Sequence, residues 1–262
     1  MTSTYPSYRT VDRLVVETHP DRSAMGRAAA RAAAACIRDA ISTRGRARVI
    51  FGCAPSQDDL FASLVEPARC GATIQWKKVT AFHMDDYVGL SGDHPQSFRR
   101  YLSKHLLEHV PVGTFHPLRA EADDIDAVCA EYARLLAAEP IDLICLGIGE
   151  NGHIAFNDPP VAEFDDPVLV KRVEIDQACR QQQVNDGCFD RIDDVPRHAL
   201  TLTVPVFRHA RRLSVHVPGH RKAAAVAAAL QGPIAPACPA SILRLHPHAT
   251  LYLDPAAASA LS

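Results

Sequence analysis

Short apolar runs alternate along the chain with longer stretches in which apolar residues recur every three or four positions, so strands and helices are predicted in turn. Residues 1 to 20 form an extended lead-in with an edge strand at Leu14-Val15-Val16. The alanine-rich stretch from Asp21 to about Ser42 predicts a helix opened by an acidic cap. Arg46 to Cys53 is β-branched and apolar, a central strand. Ser56 to Asp59 fits an S-x-x-D capping box for a helix that stops near Glu66, before Pro67. Thr73 to Met84 predicts strand, Pro95 to Val110 and Ala122 to Ala138 predict amphipathic helices, and Asp142 to Leu146 is an apolar run too short for a helix. From 160 to 195 the pattern weakens around Arg180-Gln181-Gln182-Gln183, which predicts a lid or binding loop. Strands follow at Leu200–Val206, Arg212–Val217 and Thr250–Asp254, with a helix at His220–Leu230. The alternation holds without a composition break. It predicts one α/β domain over 1–262: a doubly wound, mostly parallel, Rossmann-like sheet with helices on both faces.

Composition narrows the function classes. The 262 residues are 47% hydrophobic and 22% charged with a formal net charge of −2, so no global field recruits nucleic acid or an acidic membrane surface. None of the eight cysteines pairs at C-x-x-C spacing, and Cys145 reads as a small buried hydrophobe in its strand. The start of the chain carries Arg9, Asp12 and Arg13 where a signal peptide needs an apolar run, and no run approaches membrane length. A cytoplasmic protein with reduced thiols is expected. His105 and His109 have helical spacing but no acidic third ligand, so no metal site is expected. Walker, dinucleotide and serine-elbow fingerprints are absent from the sequence. Apolar helix faces serve a core and a subunit interface equally well, so the pattern is compatible with a homo-oligomer.

Candidate chemistry gathers after the strand at Asp142–Leu146. Gly147, Gly149 and Gly152 allow a tight turn against a ligand, and Glu150, Asn151, His153, Asn157 and Asp158 crowd the same rim. A Gly-rich turn with a surface histidine is the bland alternative; the density of polar groups favours a site. Asp85 and Asp86 follow another apolar strand, where an aspartate pair is often only a cap. A carboxylate brought near His153 becomes equipment for moving protons on carbon and oxygen. Lys222 stands at a strand-to-helix junction suited to an anion. Ser56 and Gln57 occupy a third such turn, although Asp58 and Asp59 load it with negative charge.

These motifs resemble the glucosamine-6-phosphate deaminase (isomerase) family, whose superfamily also holds 6-phosphogluconolactonases. The resemblance runs from about Arg46 to Asp254 and rests on Phe82 to Leu90 with His94-Pro95-Gln96-Ser97, on Gly147 to Pro159, on Ala199-Leu200-Thr201, on Gly219 to Ala223 and on Leu245-His246-Pro247. The lactonase branch fits less well, because it favours Asp-Glu-Arg where this chain has Asp85-Asp86-Tyr87. The resemblance implies a sugar phosphate substrate and no metal or organic cofactor. It implies Asp85 as the base moving a proton between C2 and C1, and His153 as the ring opener with Asp158 behind it. Lys222 would hold the phosphate, and Gly147 would lie against the substrate. The chain departs from the family at Asn151, usually Asp, where an amide can still hydrogen-bond the imidazole, and at Asp158, usually Glu. Ala54 to Asp59 replaces a Gly-rich phosphate loop, leaving Ser56 and Gln57 as the binding candidates there, and Arg180 stands in for a phosphate-binding arginine. Asp86 completes the expected substrate contacts. The alternatives are a sugar lactone hydrolase and a sugar-phosphate sensor without turnover.

Overall fold

A computed structural model describes residues 5–71, 73–159 and 161–261; residues 1–4 of the expected lead-in and Pro160, first residue of the expected lid, lie outside them. The strands are β1 (Ser7–Val11), β2 (Leu14–Thr18), β3 (Ala47–Phe51), β4 (Val79–His83), β5 (Asp85–Tyr87), β6 (Thr114–His116), β7 (Leu143–Leu146), β8 (Val170–Glu174), β9 (His198–Leu202), β10 (Leu213–Val217) and β11 (Ala249–Leu253). The α-helices are α1 (Arg22–Arg44), α2 (Asp58–Leu64), α3 (Pro67–Cys70), α4 (Phe98–Leu102), α5 (Ile125–Ala137), α6 (Gln177–Asn185), α7 (Val204–His209) and α8 (Ala223–Gln231).

The main sheet has the order β1-β2-β11-β10-β7-β3-β4-β6 and is parallel except for the antiparallel β1–β2 hairpin at its edge. Helices cover both faces, so the doubly wound α/β architecture expected from the alternation is present. Strand β7 shows how its two-residue period divides the core. Leu143 and Cys145 join the cluster containing Ala29, Ala33 and Ile37 of α1, while Ile144 and Leu146 join the one containing Tyr132 of α5 and Val226 of α8. The small alanines of α1 bury at helical spacing and let that helix lie close to the sheet. Its ends are chemically fixed. The Asp21 side chain accepts the Ala24 N–H at 2.7 Å, and Gly45 closes the helix at φ 78° with its N–H on Ile41 O.

Several elements differ from the sequence pattern for identifiable reasons. Leu14–Val16 is no edge: β2 pairs with β11 on one side, and β1 takes the edge. The strand expected through Val206 ends at Leu202, because Pro205 lies in the first turn of α7, where its missing N–H is harmless. Ser56 does not cap a helix; it sits in a 3-10 turn, Pro55–Gln57, ahead of α2, with its hydroxyl turned elsewhere. Pro95 and Gln96 precede α4, which runs into a π-helical turn at Ser103–Leu107. Finally, β5, β9 and β8 form a separate antiparallel sheet, which draws Asp85–Tyr87 out of the main sheet and onto Ala199–Thr201. Within 160–195 lie β8 and α6, the latter capped by Asp176, so that stretch carries regular structure of its own.

Candidate active site

The chain leaves β3 toward β4 and β6 on one side, then returns to build β7, β10 and β11 on the other. Ligands in open α/β sheets bind at such a reversal, outside the carboxyl ends of the strands. A cavity of about 470 Å³ opens there. Its walls come from the ends of β3 (Ser56, Gln57), β4 (Asp85), β7 (Gly147, Gly149, His153) and β10 (Lys222), with Arg22 and α6 residues Gln182 and Gln183 closing the sides.

Asp85 is 6% exposed, and burial together with the neighbouring Asp86 carboxylate lifts its pKa well above the ordinary carboxylate range. His83, two residues earlier, fixes its backbone. The Leu118 N–H reaches His83 Nε2 at 2.7 Å, so Nε2 is the acceptor and Nδ1 donates to Asp85 O at 2.9 Å. Burial pushes the His83 pKa down to about 4, keeping that imidazole neutral. Asp86 turns away from the cavity and is fully buried. Its carboxylate accepts from the Tyr87 and Phe98 N–H groups, the Ser97 hydroxyl and Arg99 Nε, which ties β5 to the start of α4. The substrate contact expected of Asp86 is replaced by this anchoring role.

His153 faces the cavity with Nδ1 3.0 Å from Asp158 Oδ1. Asp158 is wholly buried. Burial works to raise its pKa, but His153, the Asn151 amide and the Asp176 N–H together hold it below the usual range. Asn151 does not touch the imidazole ring. Its Nδ2 donates to Asp158 Oδ1 at 2.9 Å, while its Oδ1 accepts the His153 backbone N–H at 3.0 Å. These two bonds join Asn151 to both residues. Gly149 lies directly under the ring: a Cβ there would sit 2.1 Å from His153 Cε1. Among the described residues His153, Asp158 and Cys179 bring possible metal ligands within 4.8 Å of one another. Asp158 already accepts from the Asn151 amide and the Asp176 N–H and lies against His153 Nδ1.

Lys222 is 8% exposed, and its Nζ finds no hydrogen-bond partner among the described residues. Burial lowers its pKa; Asp186 and Glu150 oppose the shift through space. A buried, unpartnered ammonium on a cavity wall is poised for an anion. The negative charge at the Ser56–Gln57 turn is largely taken up, because Arg22 pairs with Asp59 at 2.5 Å and the Tyr101 hydroxyl donates to Asp58 at 2.6 Å. Gly147 meets the Ser56–Gln57 turn: a Cβ would fall 2.9 Å from Ser56 Oγ. Arg180 does not reach the cavity. Its guanidinium is spent on the Ile192 and Val195 carbonyls, while Gln182 and Gln183 of the same helix line the cavity. The sequence pattern singles out neither Arg22 nor His83, and it places Gln182 and Gln183 only within a binding loop and not as individual site residues. His83 alone carried a local signal, its two-residue spacing from Asp85.

Residues 20–252 match the family model described as glucosamine-6-phosphate isomerases/6-phosphogluconolactonase. A glucosamine-6-phosphate deaminase of Corynebacterium kroppenstedtii is 41% identical over 186 residues, 69% of each chain, and one of Streptomyces avermitilis is 37% identical over 207 residues, 77% of each. A solved monomeric glucosamine-6-phosphate deaminase superposes with a TM-score of 0.85 at 28% identity, covering 94% of this chain and 99% of its own. A 6-phosphogluconolactonase of Shewanella baltica shares the fold with a TM-score of 0.73 at 19% identity, covering 94% and 97%. With its cavity at the strand reversal, its buried Asp85 and its Asp158-backed His153, the chain belongs to the glucosamine-6-phosphate isomerase/6-phosphogluconolactonase family.

Proposed function

We propose that this protein converts glucosamine 6-phosphate and water to fructose 6-phosphate and ammonia. The observation carrying this reading is the convergence of Asp85, the Asp158-backed His153 and the unpartnered Lys222 on one cavity. A volume of about 470 Å³ suits a phosphorylated hexose. Relatives named glucosamine-6-phosphate deaminase at 37–41% identity favour this substrate over a lactone.

The chemistry follows from the environments. His153, held by Asp158, takes the proton of the C1 hydroxyl and passes it to the ring oxygen as the pyranose opens, giving the free aldehyde at C1. Asp85, ionised, takes the C2 proton; its raised proton affinity makes it a stronger base than an exposed aspartate. The aldehyde oxygen takes up a proton as the enolamine forms; C1 then receives the proton that Asp85 removed and the amine gives up one of its own, leaving a 2-imino sugar. Water adds to the imine carbon and ammonia departs, so the oxidation at C2 balances the reduction at C1. Lys222 neutralises the phosphate at the far end of the open chain, and Asn151 keeps His153 and Asp158 in register.

The test is ammonia release from glucosamine 6-phosphate, with unphosphorylated glucosamine and 6-phosphogluconolactone alongside. Ammonia from the phosphorylated sugar, with solvent deuterium entering C1 and lost in Asp85→Asn, is the expected result. Lactone opening without ammonia would assign the site to hydrolysis. Tight binding without any product would make it a sensor.

A further inference from the structure

A buried line of polar groups connects the main sheet to the cavity wall. Ser214 and His216 lie two residues apart on β10, share one face, and are 4% and 1% exposed. Ser214 Oγ is 2.8 Å from His216 Nε2, His216 Nδ1 is 2.6 Å from Gln57 Oε1, and Gln57 Nε2 is 3.0 Å from Ser56 Oγ. Gln57 itself is 1% exposed, and Ser56 lines the cavity beside Gly147. The missing Cβ of Gly147 makes room for the last link, since that atom would fall 2.9 Å from Ser56 Oγ and 3.5 Å from Gln57 Nε2.

The chemistry of the members sets a direction. Complete burial keeps His216 neutral, its pKa pushed down to about 3, and a neutral imidazole has one donor and one acceptor nitrogen. The Gln57 carbonyl only accepts, so His216 Nδ1 carries the hydrogen and Nε2 accepts from the Ser214 hydroxyl. The Gln57 amide then donates to Ser56 Oγ. The Ser56 hydrogen is left over, on a side chain that lines the cavity. Running the line backwards would flip the Gln57 amide, draw the Ser56 hydrogen inward and turn oxygen lone pairs toward the cavity that Lys222 lines. A bound anion opposes that arrangement.

We propose that Ser214, His216 and Gln57 form a one-way hydrogen-bond relay that commits the Ser56 hydroxyl to donate to an anionic oxygen of the ligand, the phosphate of a sugar phosphate. His216 and Gln57 are positioning residues for anion selection, and Ser56 is the group that touches the ligand. The ligand half of this proposal rests on the anion reading of the site given above; the relay's direction rests on the orientation of the Gln57 amide and is tested separately.

The first measurement is the tautomer of His216, by nitrogen-15 NMR on histidine-labelled protein, with its signals identified by their loss in His216→Gln. Protonated Nδ1 and bare Nε2 are expected. A hydrogen on Nε2, or an imidazolium at neutral pH, overturns the relay whatever the substrate proves to be. The second is binding of inorganic phosphate. Ser56→Ala and His216→Phe should each weaken it by roughly 10-fold or more, the loss of a hydrogen bond to a charged group. The double variant should be little worse than either single one, because both remove the same contact. Undiminished phosphate binding in Ser56→Ala overturns the proposal. A wild-type protein that binds no phosphate overturns its ligand half together with the anion reading, while the tautomer still decides the direction.

Discussion

Replacing Lys222 with methionine should stabilise the protein and disable its binding of anions. The buried ammonium has no hydrogen-bond partner, and the carboxylates that oppose its pKa shift, Asp186 and Glu150, are pledged at short range to Arg221. An unsatisfied buried polar group costs about 1–3 kcal/mol, more when charged, and methionine fills nearly the same volume without that cost. For a chain of this size each kcal/mol moves Tm by about 2–4 °C, so Lys222→Met should melt several degrees higher in anion-free buffer. The sign with pH follows from the lowered pKa. The folded state binds fewer protons than the unfolded one, so the penalty is fully present below the folded-state value and fades as pH rises toward 10.5. The stabilisation by Lys222→Met should therefore shrink in alkaline buffer. Inorganic phosphate should reverse the ranking, raising the wild-type Tm and leaving the variant where it was. Scanning calorimetry of both proteins, with and without phosphate, makes the check. A variant that melts lower without phosphate, yet still responds to it, would refute the assignment of Lys222 as an unpaired anion seat.

The remaining predictions concern the groups around that seat. Gly149→Ala places a methyl 2.1–2.4 Å from atoms of the His153 ring, so the ring must leave Asp158. Turnover should fall by about 100-fold, the cost of a displacement near 1 Å at a reacting group, with the circular dichroism spectrum retained; full activity would remove His153 from the mechanism. His83 and His216 have pKa values lowered by burial to about 4 and about 3, so the unfolded chain protonates first as pH falls below 6.5. Each should cost up to about 1.4 kcal/mol of stability per pH unit down to its folded-state value. Urea unfolding from pH 7 to 4 reads this slope, which His83→Gln should flatten. Arg180→Ala should lower stability by roughly 1 kcal/mol through its carbonyl contacts and leave phosphate affinity unchanged; a large loss of affinity would restore Arg180 to the site.

Strand β7 and the rim after it were legible because both signals are local: an uninterrupted apolar run, then glycines and polar residues within one turn. The same holds for Asp85 and for the helix capped by Asp21. What escaped depended on contacts far apart in sequence. Gln57 and His216 are separated by 159 positions, and nothing near either residue announces the 2.6 Å contact between them. Arg22 reaches the cavity from α1, which Gly26 lets press against Asp59, where a Cβ would lie 2.4 Å from the Asp59 Cβ. The small antiparallel sheet was hidden for another reason. Its strand β5 is three residues long and reads as the tail of β4 until β9 is there to pair with it. Asp86, its middle residue, therefore resembled a site group while serving as an anchor.

The two departures beside His153 become intelligible as a pair. An aspartate at position 151 would set two carboxylates where Nδ2 and Oδ1 now lie 2.9 Å apart, and one of them would have to be protonated. Asn151 avoids this: its amide hydrogen answers Asp158, and its carbonyl still takes the His153 backbone N–H. The carboxylate of Asp158, one methylene shorter than glutamate, is thus held charged and close to the imidazole by neutral donors, Asn151 and the Asp176 N–H. The consequence is specific to this chain. Asn151→Asp alone should raise the proton affinity at position 158 and shift the acidic limb of the pH–rate profile upward. Combining it with Asp158→Glu, which moves the second carboxylate, should bring that limb back. An unshifted profile in the single variant would mean that the carboxylate at position 158 is not the group whose protonation the acidic limb reports.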